Sequence, residues 1–216
     1  MEDKEMIHLW KTYDKKLEET LLFNKEVAAD ITRIKVQHFI ASMKPIKMFT
    51  IIVGILWVAF VDTLIINFFH VASLFFLVSA GIQVLLTQVA IVIYLYQLIL
   101  LHQLDIDEPV LAAQEKLSRL KASTLWVARL LFLQLPVWTT FYLTKDMLLH
   151  GNTVLVLIQV LVTAAFTYPA VWLFLNIRYE NREKKWFRLI FKGKEWDPII
   201  KSMDLLRQVR EYRSAG

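Results

Sequence analysis

One acid stands alone in a long apolar run. Between Lys47 and Asp105 lie 57 residues, and Asp62 is the only charged one among them. A charge at the centre of a bilayer costs about 2.5–3.5 kcal/mol on insertion scales. An ionisable residue there is therefore first read as a site for protons or cations. Gln83, Gln88 and Gln97 follow it in the same run, and Gln134 and Gln159 lie in two later apolar stretches. A conduction path would need these amides to converge on Asp62. The structural reading competes with it. Asp62 stands shortly before Asn67, about 7 Å along a helix, so it can reach a polar interface. Burial can also keep a carboxyl protonated. Amides between helices in lipid contribute about 0.6 kcal/mol each, which makes the glutamines helix-to-helix glue.

Other chemistry finds little support. The chain has no cysteine, which removes disulfides, thiolate metal sites and thiol nucleophiles. His8, His38, His70, His102 and His150 are scattered, with no pair at helical ligand spacing and no HExxH. GxSxG, GxGxxG and P-loop patterns are missing, and five glycines leave little for a phosphate-cradling loop. A second aspartate in another apolar stretch, which an intramembrane aspartyl protease would need, does not occur. No catalytic residue, cofactor or metal is therefore expected. The chain reads as non-enzymatic, with an enzyme acting on a lipid as a remote third option.

These residues must be held by membrane-spanning helices. The 216 residues are 56% apolar and 21% charged, and the two populations are segregated along the chain. About 20 apolar residues cross a bilayer core. Residues 48–104 suffice for two crossings, divided at Asn67 and His70. The expected spans are 48–66 and 72–100, then 126–144 and 153–177. The third is the weakest, because Arg129 lies inside its edge and Pro136 can kink it. Arg129 and Lys145 are long enough to reach the headgroups. Ser73, Ser79, Ala80 and Gly81 permit close helix approach. The segment layout is thus a polar helix over 1–47, a hairpin over 48–100, a connector over 101–125, a second hairpin over 126–177 and a basic tail over 178–216. Segments 1–47, 101–125 and 178–216 hold 23 of the 25 Lys and Arg residues. The positive-inside rule then puts both termini and the connector in the cytoplasm. The first 47 residues offer no apolar stretch behind a basic start, so a cleaved signal peptide is not expected.

The polar segments carry helical patterns of their own. Within residues 1–42 a seam recurs at alternating spacings of three and four: Met6, Trp10, Tyr13, Leu17, Thr20, Asn24, Val27, Ile31, Ile34, His38 and Ala41. That is a coiled-coil repeat, and a buried Asn24 would fix register or oligomer state. Trp10, Tyr13, Leu17, Asn24 and Ile31 are the candidate partner-binding residues. The alternative is a helix packed on the protein's own polar helices or lying on lipid. In the connector, Asp107 and Pro109 suit a helix start. Ile106, Val110, Ala113, Leu117 and Leu120 make a second seam, and the helix is expected to continue into the third span without a break. The tail interleaves Arg178, Lys184, Lys185, Trp186 and Arg188 and reads as a membrane-interface segment. The net charge of +5 resides in this tail, so it points to lipid and not to nucleic acid. Gly193 should end the helix there, and Asp197-Pro198 should open a last one bearing Ile199, Met203, Leu206 and Val209. Three such amphipathic helices should form one inner-side bundle.

The opening Leu9-Trp10-Lys11-Thr12-Tyr13, followed by Leu22-Phe23-Asn24 and the basic-proline stretch Lys44-Pro45-Ile46-Lys47, carries a resemblance over the first 60 or so residues. It resembles a group of uncharacterised bacterial four-helix inner-membrane proteins encoded near extracytoplasmic-function sigma factors. The resemblance implies a regulatory, anti-sigma-like role. The chain departs from many anti-sigma domains in lacking their zinc-binding His and Cys signature. The expectation is thus an all-α, polytopic bacterial inner-membrane protein that binds lipid and a cytoplasmic protein, and that can self-associate. A small oligomeric transporter or channel using Asp62 is the alternative.

Overall fold

A computed structural model describes residues 2–104, 110–193 and 196–214. The fold is all-helical, at 86% helix, with no strand among the described residues. Among the described residues eight α-helices follow in order: α1 (Glu2–Ala41), α2 (Lys44–Phe68), α3 (Leu74–Gln103), α4 (Val110–Leu133), α5 (Lys145–Leu149), α6 (Thr153–Asn176), α7 (Lys185–Phe191) and α8 (Asp197–Ser214). Single 3-10 turns stand at Val137–Thr139 and Tyr179–Asn181.

Four stretches are long and apolar enough to cross a membrane: α2 together with the end of α1, α3, α4 with the 3-10 turn after it, and α6. A helix that is apolar all round is normally buried in protein. Here only 6% of the apolar window of α6 and 11% of that in the first stretch is buried. The chain exposes 15027 Å², where a compact monomer of its mass would expose about 10,300 Å². An apolar surroundings is the physical condition under which such exposure is stable.

Prolines and caps set the helix ends. Pro45 has no N–H to offer the Ala41 carbonyl, so α1 and α2 are separated at Ser42 and Met43. The Ser73 hydroxyl accepts from the Phe76 amide and starts α3, after the expected turn at Asn67–His70. Asn152 caps α6 in the same way, accepting from the Val154 amide at 2.9 Å. A side chain on Gly151 would lie 2.1 Å from the Met147 carbonyl, so the preceding turn requires glycine. At Gly193 the φ of 149° likewise favours glycine and separates α7 from α8.

The third span differs from expectation. The connector helix does run unbroken into it, as α4, but the helix ends at Leu133. Pro136 cannot donate to the Phe132 carbonyl, and the Leu135 amide takes that oxygen at 3.1 Å instead. Residues 134–144 then wind through the 3-10 turn, and the short α5 follows. The apolar stretch is correspondingly shifted, to Leu111–Thr139.

The apolar helices pack as a row, α2 on α3, α3 on α4, α4 on α6. The first hairpin is closely packed at Gly54, where an added side chain would meet Ile91 at 3.1 Å. The small residue singled out in the second span, Gly81, faces open space. At one end of the row the polar helices form the expected bundle. Val36 and Ile40 of α1, Met43 between α1 and α2, Leu100 and Leu101 of α3, Ala113, Leu117 and Leu120 of α4, and Ile199 and Leu206 of α8 make its core. Asp107 and Pro109, the expected helix start, lie outside the described residues, as do the side chains of Val110 and Val209.

Candidate functional site

The seam of α1 is uncovered. Every described side chain of α1 from residue 6 to residue 31 is exposed, including Trp10, Tyr13, Leu17, Asn24 and Ile31. Trp10 is 74% exposed. The helix is about 60 Å long at 1.5 Å per residue, and most of it projects beyond the bundle. Its buried side chains lie in the last turns, and its chief neighbour is α8. The last turns pack through Val36 and Ile40, with Met43 just beyond them, while the late seam members Ile34, His38 and Ala41 are exposed. The face that binds the chain's own bundle is thus rotated from the seam. The seam side chains described from Met6 to Ala41 are all exposed.

Three of the glutamines in the apolar stretches, Gln97, Gln134 and Gln159, are engaged at separate contacts. Asp62 is half-buried on α2, with no hydrogen bond or ion pair among the described residues. Gln134 on the loop after α4 donates to the Thr87 hydroxyl of α3 at 3.2 Å. Gln159 of α6 donates to the Thr139 carbonyl at 2.5 Å and accepts from the Tyr142 hydroxyl. Gln83 is buried, and Gln88 is exposed on the outside of α3. Ser79, noted for its size, exchanges a hydrogen bond with the Thr140 hydroxyl at 2.9 Å. The Ser73 hydroxyl donates to the Leu143 carbonyl at 2.7 Å. These contacts tie the broken end of the third span to α3 and α6.

Gln97 holds a partner that the sequence did not suggest. Lys47, the last cation before the uncharged run, is fully buried, and its ammonium donates to Gln97 Oε1 at 2.5 Å. The same ammonium lies 5.0 Å from the centre of the Tyr94 ring. Burying an ammonium is costly unless hydrogen bonds and an electron-rich ring replace its water. The Gln97 amide nitrogen has no partner among the described residues. This cluster pins the start of α2 to the end of α3, directly under the bundle.

Arg129 does not run outward to headgroups. Its guanidinium donates twice to the Ile177 carbonyl, at 2.8 and 2.5 Å, just past the end of α6. It takes over a carbonyl that the helix end leaves unpaired. The tail then folds back under α4. Tyr179 is held between the Lys121 ammonium, 3.8 Å from its ring centre, and the Arg182 guanidinium at 4.5 Å. Phe187 and Phe191 stack at 4.4 Å and pack under Trp196. Trp186 is half-buried, edge-on to Trp172 at 5.0 Å. Arg178, Lys184, Lys185 and Arg188 are exposed. The Arg188 guanidinium donates to Glu183 at 2.5 Å, and this bond, followed by the charge of Arg188, holds the Glu183 carboxyl below its ordinary range.

Sequence reasoning named Trp186, Arg188 and the seam but missed Lys47, Tyr94, Lys121 and the Ile177 carbonyl. The one available signal was a lysine directly before a long uncharged run. Comparison with protein-family models, with curated proteins and with solved structures finds no match to this chain.

Proposed function

We propose that this chain is a non-enzymatic integral membrane protein of a bacterial inner membrane. Both termini face the cytoplasm, and α1 docks a cytoplasmic protein at the membrane. The observation that carries the reading is the seam of α1. It keeps a coiled-coil spacing over residues 6–34 and is exposed along its whole described length. Apolar side chains repeated on one face of a projecting polar helix are stabilised by covering them, and the chain's own bundle uses a different face.

The resemblance of the first 60 or so residues makes the concrete version a regulator of membrane-linked signalling, anti-sigma-like in retaining its partner at the membrane. The same seam allows self-association, with Asn24 setting the register. The transport alternative draws less support. It needs the amides gathered around Asp62, and Gln97, Gln134 and Gln159 are engaged at three separate helix contacts.

Purification of the full chain in mild detergent tests the proposal. One cytoplasmic protein should co-purify at a fixed ratio, and Leu17→Glu with Ile31→Glu should release it without changing the thermal stability of the membrane protein. Recovery of the chain alone from both preparations would overturn the reading.

A further inference from the structure

The tail builds a groove whose chemistry the docking proposal does not use. Its volume is about 560 Å³, and five cations line it: Arg182, Lys185, Arg188, Lys192 and Lys201. Among the described residues Asp197 is the one carboxylate on its wall, and Glu183, paired with Arg182 and Arg188, stands beside it. Lys185 and Lys192 make no ion pair or hydrogen bond among the described residues. The floor is aromatic, from Phe187, Phe191 and Trp196. Phe191, Lys192 and Trp196 also line a second cavity of about 400 Å³, whose other walls are mainly the apolar side chains of α4.

Position narrows the ligand. Arg129 fixes the end of α6 at Ile177, and Trp186, edge-on to Trp172 of α6, sets the α7 wall of the groove beside the last apolar helix. Phe187 and Phe191 turn one face of α7 inward, which leaves Leu189 on the other face, 82% exposed beside Lys185 and Arg188. A bare leucine among lysines next to an apolar helix suits the boundary of a bilayer, where the stem of a basic side chain lies in apolar surroundings and its head in the phosphate layer. Nucleic acid would meet the same charges, but an exposed leucine gains nothing from it.

We propose that this groove binds the headgroup phosphate of an anionic phospholipid from the leaflet on the basic side of the protein. Lys185, Arg188 and Lys192 hold the phosphate, and Leu189 enters the acyl region. The proposal is independent of any protein partner on α1.

Native mass spectrometry of the full chain in neutral detergent tests it, with phosphatidylglycerol, phosphatidylcholine, glycerol 3-phosphate and a short RNA as separate probes. The chain should retain one phosphatidylglycerol in preference to phosphatidylcholine, and raised ionic strength should weaken retention. Lys185→Gln with Arg188→Gln and Lys192→Gln should weaken it on the order of tenfold or more, at about 1 kcal/mol per cation near an anionic surface. Lys11→Gln with Lys15→Gln and Lys16→Gln, on the far part of α1, should leave it unchanged. Equal retention of the two lipids, or undiminished retention in the tail variant, would overturn the proposal. So would binding of glycerol 3-phosphate or RNA as tightly as phosphatidylglycerol. The salt response of the unsubstituted chain decides the matter even if the tail variant misfolds: salt-insensitive retention contradicts a phosphate held by cations.

Discussion

Lys47 and Gln97 stand 50 positions apart, and the ammonium of one donates to the amide oxygen of the other at 2.5 Å in a fully buried setting. The contact joins the first and last turns of the first hairpin. Replacing Gln97 with Leu removes an acceptor from a buried cation, which costs about 1.5–3 kcal/mol. Lys47→Met removes the cation itself. The double variant should therefore be more stable than Gln97→Leu alone, because a buried charge that has lost an acceptor is gone. Thermal unfolding of the three variants in one detergent measures this. A double-variant loss equal to the sum of the two single losses would show that the bond contributes nothing.

Arg129 latches the tail by its two bonds to the Ile177 carbonyl. A hydrogen bond to a charged group contributes about 1.5–3 kcal/mol. Arg129→Gln should thus raise the population of tail-released molecules by roughly thirtyfold for 2 kcal/mol. Limited trypsin digestion reads this as faster cleavage at Arg178 and Arg182, while α6 stays intact. An unchanged cleavage rate would show that the aromatic packing under Trp196 suffices without the latch.

Topology is testable because the chain has no cysteine. Single cysteines at positions 11 and 207 should resist an impermeant thiol reagent in intact cells, and ones at 70 and 150 should react. Labelling of position 11 or 207 from outside contradicts the orientation.

The legible part of the fold was its long-wavelength pattern. Charge segregation and turn residues located the first, second and fourth apolar helices, because a bilayer asks length and apolarity of each span independently of its neighbours. What escaped depends on pairing across the fold. Lys47 reads as a solvated flank until Gln97 and Tyr94 are brought to it. Arg129 reads as a headgroup seeker until the end of α6 offers a carbonyl. Pro136 was visible, yet whether a proline kinks or ends a helix depends on partners for the freed carbonyls, here the amide of Leu135. The seam of α1 was read correctly as a repeat. Its last turns bury a different face because α8 approaches from another side, and no local pattern records that direction.

The central claim is that a protein covers the seam of α1. A photo-crosslinking residue at position 17, in the full chain in intact cells, tests it most directly. Leu17 lies mid-helix, exposed, beyond the reach of the chain's own bundle. The account predicts one dominant crosslinked species containing a cytoplasmic protein, with a second copy of this chain as the only other product. Crosslinks to lipid alone would place the seam on the membrane surface and contradict the account.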